Sequence, residues 1–214
     1  MKLSNNKSGL WIGVLIVLYC VGILGITINI FPWFIYLTPL NLLVSTFIIL
    51  AFHQEWKRDF IAFVIVSYSL GFSIEYFGVN TGLIFGTYTY GDVLGPKIGD
   101  TPLMIGVNWL MLSYSAGITI NHLLGDKNFI IKSIFGAGIL VLLDLLIEPV
   151  AIHYNFWTWE EVSVPFKNYI AWFVIAFTIQ LFFNLVAGKS KNKVAVALLV
   201  LQFAFFGFLC LLLK

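Results

Sequence analysis

The chain has little charge. Asp, Glu, Lys and Arg make up 10% of its 214 residues, where a soluble domain carries about 25%. Hydrophobic residues make up 60%, and the mean hydropathy is +0.97. An ordinary soluble domain is excluded; the composition is that of an integral membrane protein. The net charge is only +2 and no basic stripe is visible, which argues against a nucleic-acid partner. Cysteine is equally scarce. Cys20 and Cys210 lie in opposite terminal apolar segments with no CxxC spacing, which argues against a disulfide framework or zinc site and leaves two buried small hydrophobes. No two of the three histidines have helical metal-ligand spacing. His53 and His122 fall near the inner edge, and His153 is a lone loop histidine near the outer layer. Lysine is absent from Val194 to Leu213, so a retinal Schiff base has no anchor there. Haem, flavin and nucleotide motifs are missing, and no cofactor is expected.

Long apolar runs dominate what is present. Seven spans of bilayer length, roughly 20 residues, are expected near 9–30, 33–52, 60–77, 103–124, 129–150, 168–188 and 194–213. The first is too long for a signal h-region and is read as a retained helix. No soluble domain or low-complexity tail interrupts them, so residues 1–214 form one polytopic, all-α membrane domain in the plasma membrane. Lys2, Lys7, Lys57, Arg58, Lys127, Lys132, Lys189, Lys191 and Lys193 collect on one side, against Lys97, Lys167 and Lys214 on the other. That bias puts the N-terminus in the cytoplasm and the C-terminus outside. The two longer connections, Gly78 to Pro102 and Ala151 to Lys167, then fall on the outer side.

Three acids lie inside these spans: Glu75, Asp144 and Glu148. None has a basic residue near it in its own span. A carboxylate in hydrocarbon is costly, so such acids usually face an interior cavity and mark chemistry or an ion path. Glu75 and Asp144 are each 15 residues into an outward-running span, about 22 Å from the inner edge. Asn108, Trp109 and Trp172, on spans that enter from outside, reach a similar level. Asp144 and Glu148 are four apart and share a helix face. Two carboxyls so close in a poor dielectric resist double ionisation, which leaves a neutral acid beside a carboxylate. That pairing suits general acid–base work, though the same acids could hold the bundle together or carry protons. Pro149 should kink or end the helix. Glu75 lies on a stripe with Tyr68 and Gly71, where the glycine permits close approach of another helix. A metal held by the three carboxyls would find little ligand nitrogen, and none is expected.

The connection from Gly78 to Pro102 is rich in Gly, Tyr and Phe and poor in charge. It is too apolar for a solvated loop and reads as a folded cap over the acids. Its glycine spacing fits neither the Walker nor the dinucleotide pattern. Thr87 to Tyr90 alternates as a strand would. Trp157 and Trp159 in the second connection form either an interfacial belt or, with Trp109, Trp172, Tyr88 and Tyr90, the wall of a flat apolar pocket.

The runs EYFGVNTGLIFGTYTYGDVLGPKIGDTPLMIGVNW, LDLLIEPVA, FWTW and VPFKNYIAW resemble the membrane-bound carotenoid hydratases, of the gamma-carotene 1'-hydroxylase and bisanhydrobacterioruberin hydratase type. The resemblance covers about Gly71 to Trp172; Leu83–Ile84 and Thr87 depart from the family pattern. It implies addition of water across the terminal C1–C2 double bond of an acyclic carotenoid end. Carotenoid, lipid and water are then the partners. Asp144 or Glu148 would be the acid, its neighbour the water-activating base, and Glu75 a third partner. Tyr88, Tyr90, Trp109, Trp157, Trp159 and Trp172 would hold the polyene end, with Asn108 and Asn168 orienting water. Rival readings are a proton- or ion-coupled transporter, a carotenoid-binding protein without turnover, and a cyclase or isomerase that quenches the same cation by proton loss.

Overall fold

A computed structural model describes residues 7–28, 31–188 and 190–213. Lys2, Lys189 and Lys214, used above to orient the chain, lie outside these residues, as do positions 29 and 30 of the expected first span. Seven long α-helices account for most of the rest: α1 (Ser8–Ile28), α2 (Thr38–Ala51), α3 (Arg58–Thr81), α4 (Met104–Leu124), α5 (Phe129–His153), α6 (Phe166–Val186) and α7 (Lys193–Leu212). Among the described residues, six segments are long and apolar enough to cross a membrane: α1, Pro32–Ala51, α3, α5, α6 and α7. The protein is an all-helical membrane protein.

Helix α4 differs from these six for a physical reason. Every residue from Trp109 to Ile120 is buried, including Ser113, Ser115 and Thr119. The helix is wrapped by α2, α3, α5, α6 and α7. Lipid does not touch its middle; there the Thr119 hydroxyl donates to Ser115 O at 2.7 Å, while the Ser113 and Ser115 hydroxyls are buried without a partner among the described residues. At the opposite extreme, α1 buries only Leu15 and Tyr19 and packs mainly on α7.

Four expectations need correction. The second span starts as a 3-10 segment, Pro32–Leu37, before α2. Helix α3 runs four residues past its expected end at 77 and stops where Gly82 turns left-handed (φ 66°), its N–H bonding Gly78 O at 2.8 Å. Helix α5 continues through Pro149 to His153; proline removes one donor, a loss that packing within a bundle tolerates. Cys20 is exposed on the bundle surface rather than buried, and the Cys210 thiol donates to Leu146 O at 3.1 Å.

The two longer connections fold onto each other. Strand β1 (Tyr88–Tyr90) pairs antiparallel with β4 (Trp157–Trp159), with Tyr88 opposite Trp159 and Tyr90 opposite Trp157. Between them in sequence, β2 (Lys97–Ile98) and β3 (Thr101–Pro102) form a short hairpin. Alternation sends Thr89 and Thr158 outward, while Tyr88, Tyr90 and Trp159 are buried and Trp157 half-buried. The ribbon lies across the end of the bundle where α3 and α5 finish and α4 and α6 begin. Lysines tie it down: Lys97 Nζ donates to Tyr90 O at 2.7 Å and Lys167 Nζ to Gly82 O at 2.9 Å.

On α3, Gly71 lets α4 approach closely: a Cβ there would overlap Cβ and Cγ of Trp109. Gly71→Ala is therefore expected to cost about 1–3 kcal/mol by overpacking. Thermal unfolding in detergent checks this; an unchanged midpoint contradicts the packing.

Candidate active site

Three buried carboxyls meet beneath the ribbon. Glu75, Asp144 and Glu148 are 4%, 0% and 2% exposed. Among the described residues the ion pairs are Lys57–Glu55 and Lys97–Asp92, so the hydrogen bonds that reach the three acids come from neutral groups. Glu75 Oε2 accepts from the Tyr88 hydroxyl at 2.5 Å and the Tyr90 hydroxyl at 2.8 Å, and Oε1 accepts from Trp109 Nε1 at 3.1 Å. Glu148 Oε2 accepts from the indoles of Trp157 and Trp159, both at 2.9 Å. Asn168 Nδ2 bridges α5, donating to Asp144 Oδ2 at 3.0 Å and Glu148 Oε1 at 3.2 Å. Asp144 Oδ1 is buried without a hydrogen-bond partner.

The donors are of two kinds. Indole N–H and amide NH2 groups only donate, whereas a phenol both donates and accepts. Glu148 is held by donors alone, an arrangement suited to an anion. Two of the three partners of Glu75 are phenols, which can reverse and accept from a carboxylic acid. Glu75 is thus hydrogen-bonded compatibly in either proton state. The site is chemically asymmetric although its two glutamates are the same residue type.

Two cavities adjoin this cluster. The smaller, about 20 Å³, is lined by Glu75, Phe85, Tyr88, Tyr90, Ile105, Asn108, Trp109, Ile147, Glu148, Trp157, Trp159, Asn168 and Trp172. It has room for about one water molecule. The larger, about 280 Å³, is apolar and runs between α1, α2, α4, α5 and α7. Its walls include Val21, Leu37 and Leu40, which are exposed on the outside of the bundle, so it reaches the lipid-facing surface. The two spaces share Ile105, Asn108, Ile147 and Trp157 as wall.

All eight side chains expected to form a pocket (Tyr88, Tyr90, Asn108, Trp109, Trp157, Trp159, Asn168 and Trp172) line the small chamber. Of the three acids, Glu75 and Glu148 do; Asp144 stands behind and reaches the chamber through Asn168. Trp157 and Trp159 bond to Glu148 rather than forming a belt. Sequence reasoning missed Phe85, Ile105 and Ile147. It also missed the contribution of α1, α2 and α7 to the larger space, including Tyr19, Phe34, Gln202 and Phe205. Apolar residues in apolar spans give no signal; the polar ones in these walls are Thr38, Asn41, Tyr19 and Gln202, the last two hydrogen-bonded at 2.8 Å. His53 is buried elsewhere, stacked on Phe60 and bonded to Tyr114 Oη at 2.9 Å. Among the described residues, no three His, Cys, Asp or Glu side chains are grouped to hold a metal.

Together the fold and site define a polytopic helical membrane protein with a small carboxyl-lined chamber beside a lipid-facing cavity. A family model described as "Carotenoid biosynthesis protein" matches residues 36–214, and the chain belongs to that family. Over 123 residues it is 32% identical to the bisanhydrobacterioruberin hydratase of Haloarcula japonica, a stretch covering 55% of this chain and 41% of that protein. The chain therefore matches about two fifths of the length of this curated relative. No solved structure matches the chain.

Burial and the nearby Glu75 carboxyl raise the Tyr88 and Tyr90 phenols well above their ordinary value of 10.0. The unfolded chain releases these protons first as pH rises, so it binds fewer protons than the folded chain in that range. Stability conferred by these phenols is thus complete below the ordinary phenol pKa and falls as pH climbs toward the folded values. Ultraviolet titration of the folded protein should show Tyr88→Phe and Tyr90→Phe removing no phenolate signal near pH 10. Loss of a normally titrating phenolate in either variant contradicts the arrangement.

Proposed function

We propose that this protein is a carotenoid hydratase that adds water across the terminal C1–C2 double bond of an acyclic carotenoid end. The observation that carries the reading is the pairing of two spaces: a chamber for about one water, walled by Glu75 and Glu148, against an apolar cavity that reaches lipid. A polyene arrives by diffusion in the bilayer and needs a sideways entrance. Water needs a polar pocket shielded from that entrance. Membership of a carotenoid biosynthesis family, and the hydratase name of the Haloarcula japonica relative, point the same way.

The polyene end lies in the larger cavity with its double bond at the shared wall. The Glu75 carboxylic acid protonates C2, and the π electrons form the new C2–H bond. A tertiary cation develops at C1. The Glu148 carboxylate and the faces of Trp157 and Trp172 oppose that charge. The chamber water, oriented by Asn108 and Asn168, attacks C1 and gives its proton to Glu148. Proton return to Glu75 through the next water restores the site. The reaction is redox-neutral and calls for no electron carrier. Asp144 acts as a positioning residue, fixing the Asn168 amide with its carboxyl. Orientation follows lysine distribution: seven spans in the plasma membrane, N-terminus cytoplasmic, C-terminus and ribbon outside.

Expression in a lycopene-producing host, followed by pigment mass spectrometry, tests the reading. Wild type should yield a product heavier by one water. Glu75→Gln and Glu148→Gln should each lower that product by about 10²-fold or more, with pigment still co-purifying. Asp144→Asn should lower it less. A product of unchanged mass from the wild type favours an isomerase or cyclase, and full activity in either glutamine variant removes the acid–base pair.

A further inference from the structure

The wall between the two spaces has a composition of its own. Four residues border both cavities: Ile105 and Asn108 from the first turns of α4, Ile147 from α5, and Trp157 from β4. Asn108 and Trp157 are polar and bear on the water and on Glu148. Ile105 and Ile147 are buried, β-branched and come from different helices. Ile147 directly precedes Glu148, and Ile105 lies one turn before Asn108 and Trp109. A β-branched side chain in a helix is held in essentially one rotamer. Two such side chains, anchored on packed helices, make a stiff part of the wall between the two spaces. Beyond it the chamber holds about one water, so no substrate atoms beyond the reacting end fit inside.

We propose that Ile105 and Ile147 frame a narrow opening between the two spaces and form a depth stop that determines which double bond of the isoprenoid chain is hydrated. This inference rests on the hydratase reading above. In an acyclic carotenoid end that is saturated at C7–C8, the terminal double bond and the next methyl-branched one both stand outside the conjugated run and are chemically alike toward acid. Each would take a proton on its less substituted carbon, form a tertiary cation, and accept water with loss of one proton to a carboxylate. Acid strength alone therefore does not choose between them. The stop lets the branched end meet Glu75 and Glu148 and holds the rest of the chain in the larger cavity. The inner double bond stays beyond reach of the acids.

Two opposite changes test the stop. Ile105→Ala and Ile147→Ala, singly and together, widen the opening; Ile147→Phe narrows it. In a host whose acyclic carotenoid is saturated at C7–C8, the widened variants should release, beside the terminal alcohol, an isomeric alcohol of equal mass hydrated at the next double bond. The terminal preference should fall about tenfold or more. Ile147→Phe should abolish hydration while the pigment still co-purifies. Monodisperse elution in detergent establishes folding, and Ile147→Val, which removes one methyl, replaces any alanine variant that fails it. An active wild type with only the terminal alcohol from every folded widened variant, or a Phe variant as active as wild type, overturns the depth stop and leaves the hydratase reading intact. A wild type that hydrates nothing takes down both.

Discussion

Carboxyl groups buried among apolar helices set the terms for everything else in this structure. Each must find hydrogen bonds, because hydrocarbon supplies none and an unsatisfied charge there is prohibitively costly. The protein answers without cations. Glu148 takes two indoles and an amide, and Glu75 takes two phenols and an indole. Neutral donors hold the oxygen atoms in place but leave the charge unquenched. A carboxyl held by a lysine would be fixed as a salt and poor at either giving or taking a proton. The same restraint preserves a difference between the glutamates, since phenols reverse their hydrogen bonds and indoles do not.

This requirement explains the shape of the cap. Four of the donors come from a two-stranded ribbon, whose period of two delivers Tyr88, Tyr90, Trp157 and Trp159 to the acids and turns Thr89 and Thr158 away. A helix could not place neighbours so densely on one side. The ribbon is itself assembled from two connections far apart in sequence, so the site closes only when α3–α4 and α5–α6 are both docked. Helix α4 completes it from inside the bundle. Its burial permits Asn108 and Trp109 to face the chamber, and Gly71 lets Trp109 come near enough to reach Glu75.

Much of this was legible in the sequence, and the reasons are specific. Glu75, Asp144 and Glu148 stood out because charge is rare in apolar spans, and their shared level followed from helix rise. The cap was visible in a connection too apolar to be solvated. The i, i+4 spacing put Asp144 and Glu148 on one face, yet it could not say that Asn168 would come between them or that Asp144 would stand behind the chamber. Those facts depend on how α6 is rotated against α5. Helix ends were misplaced at α3 and α5: α3 runs on to the left-handed turn at Gly82, and α5 continues through Pro149. The larger cavity was illegible because most of its walls on α1, α2 and α7 are apolar residues of apolar spans, and the few polar ones, such as Tyr19, Asn41 and Gln202, carry no pattern that joins them.

The central claim is that the chamber water and a carboxyl proton add together to one double bond. Incubating the purified protein and an acyclic carotenoid in heavy-oxygen water and in deuterium oxide tests it most directly. The account predicts a tertiary alcohol whose oxygen comes from water and whose adjacent carbon carries one solvent deuterium. An alcohol oxygen drawn from molecular oxygen, or an adjacent carbon without solvent hydrogen, would contradict it.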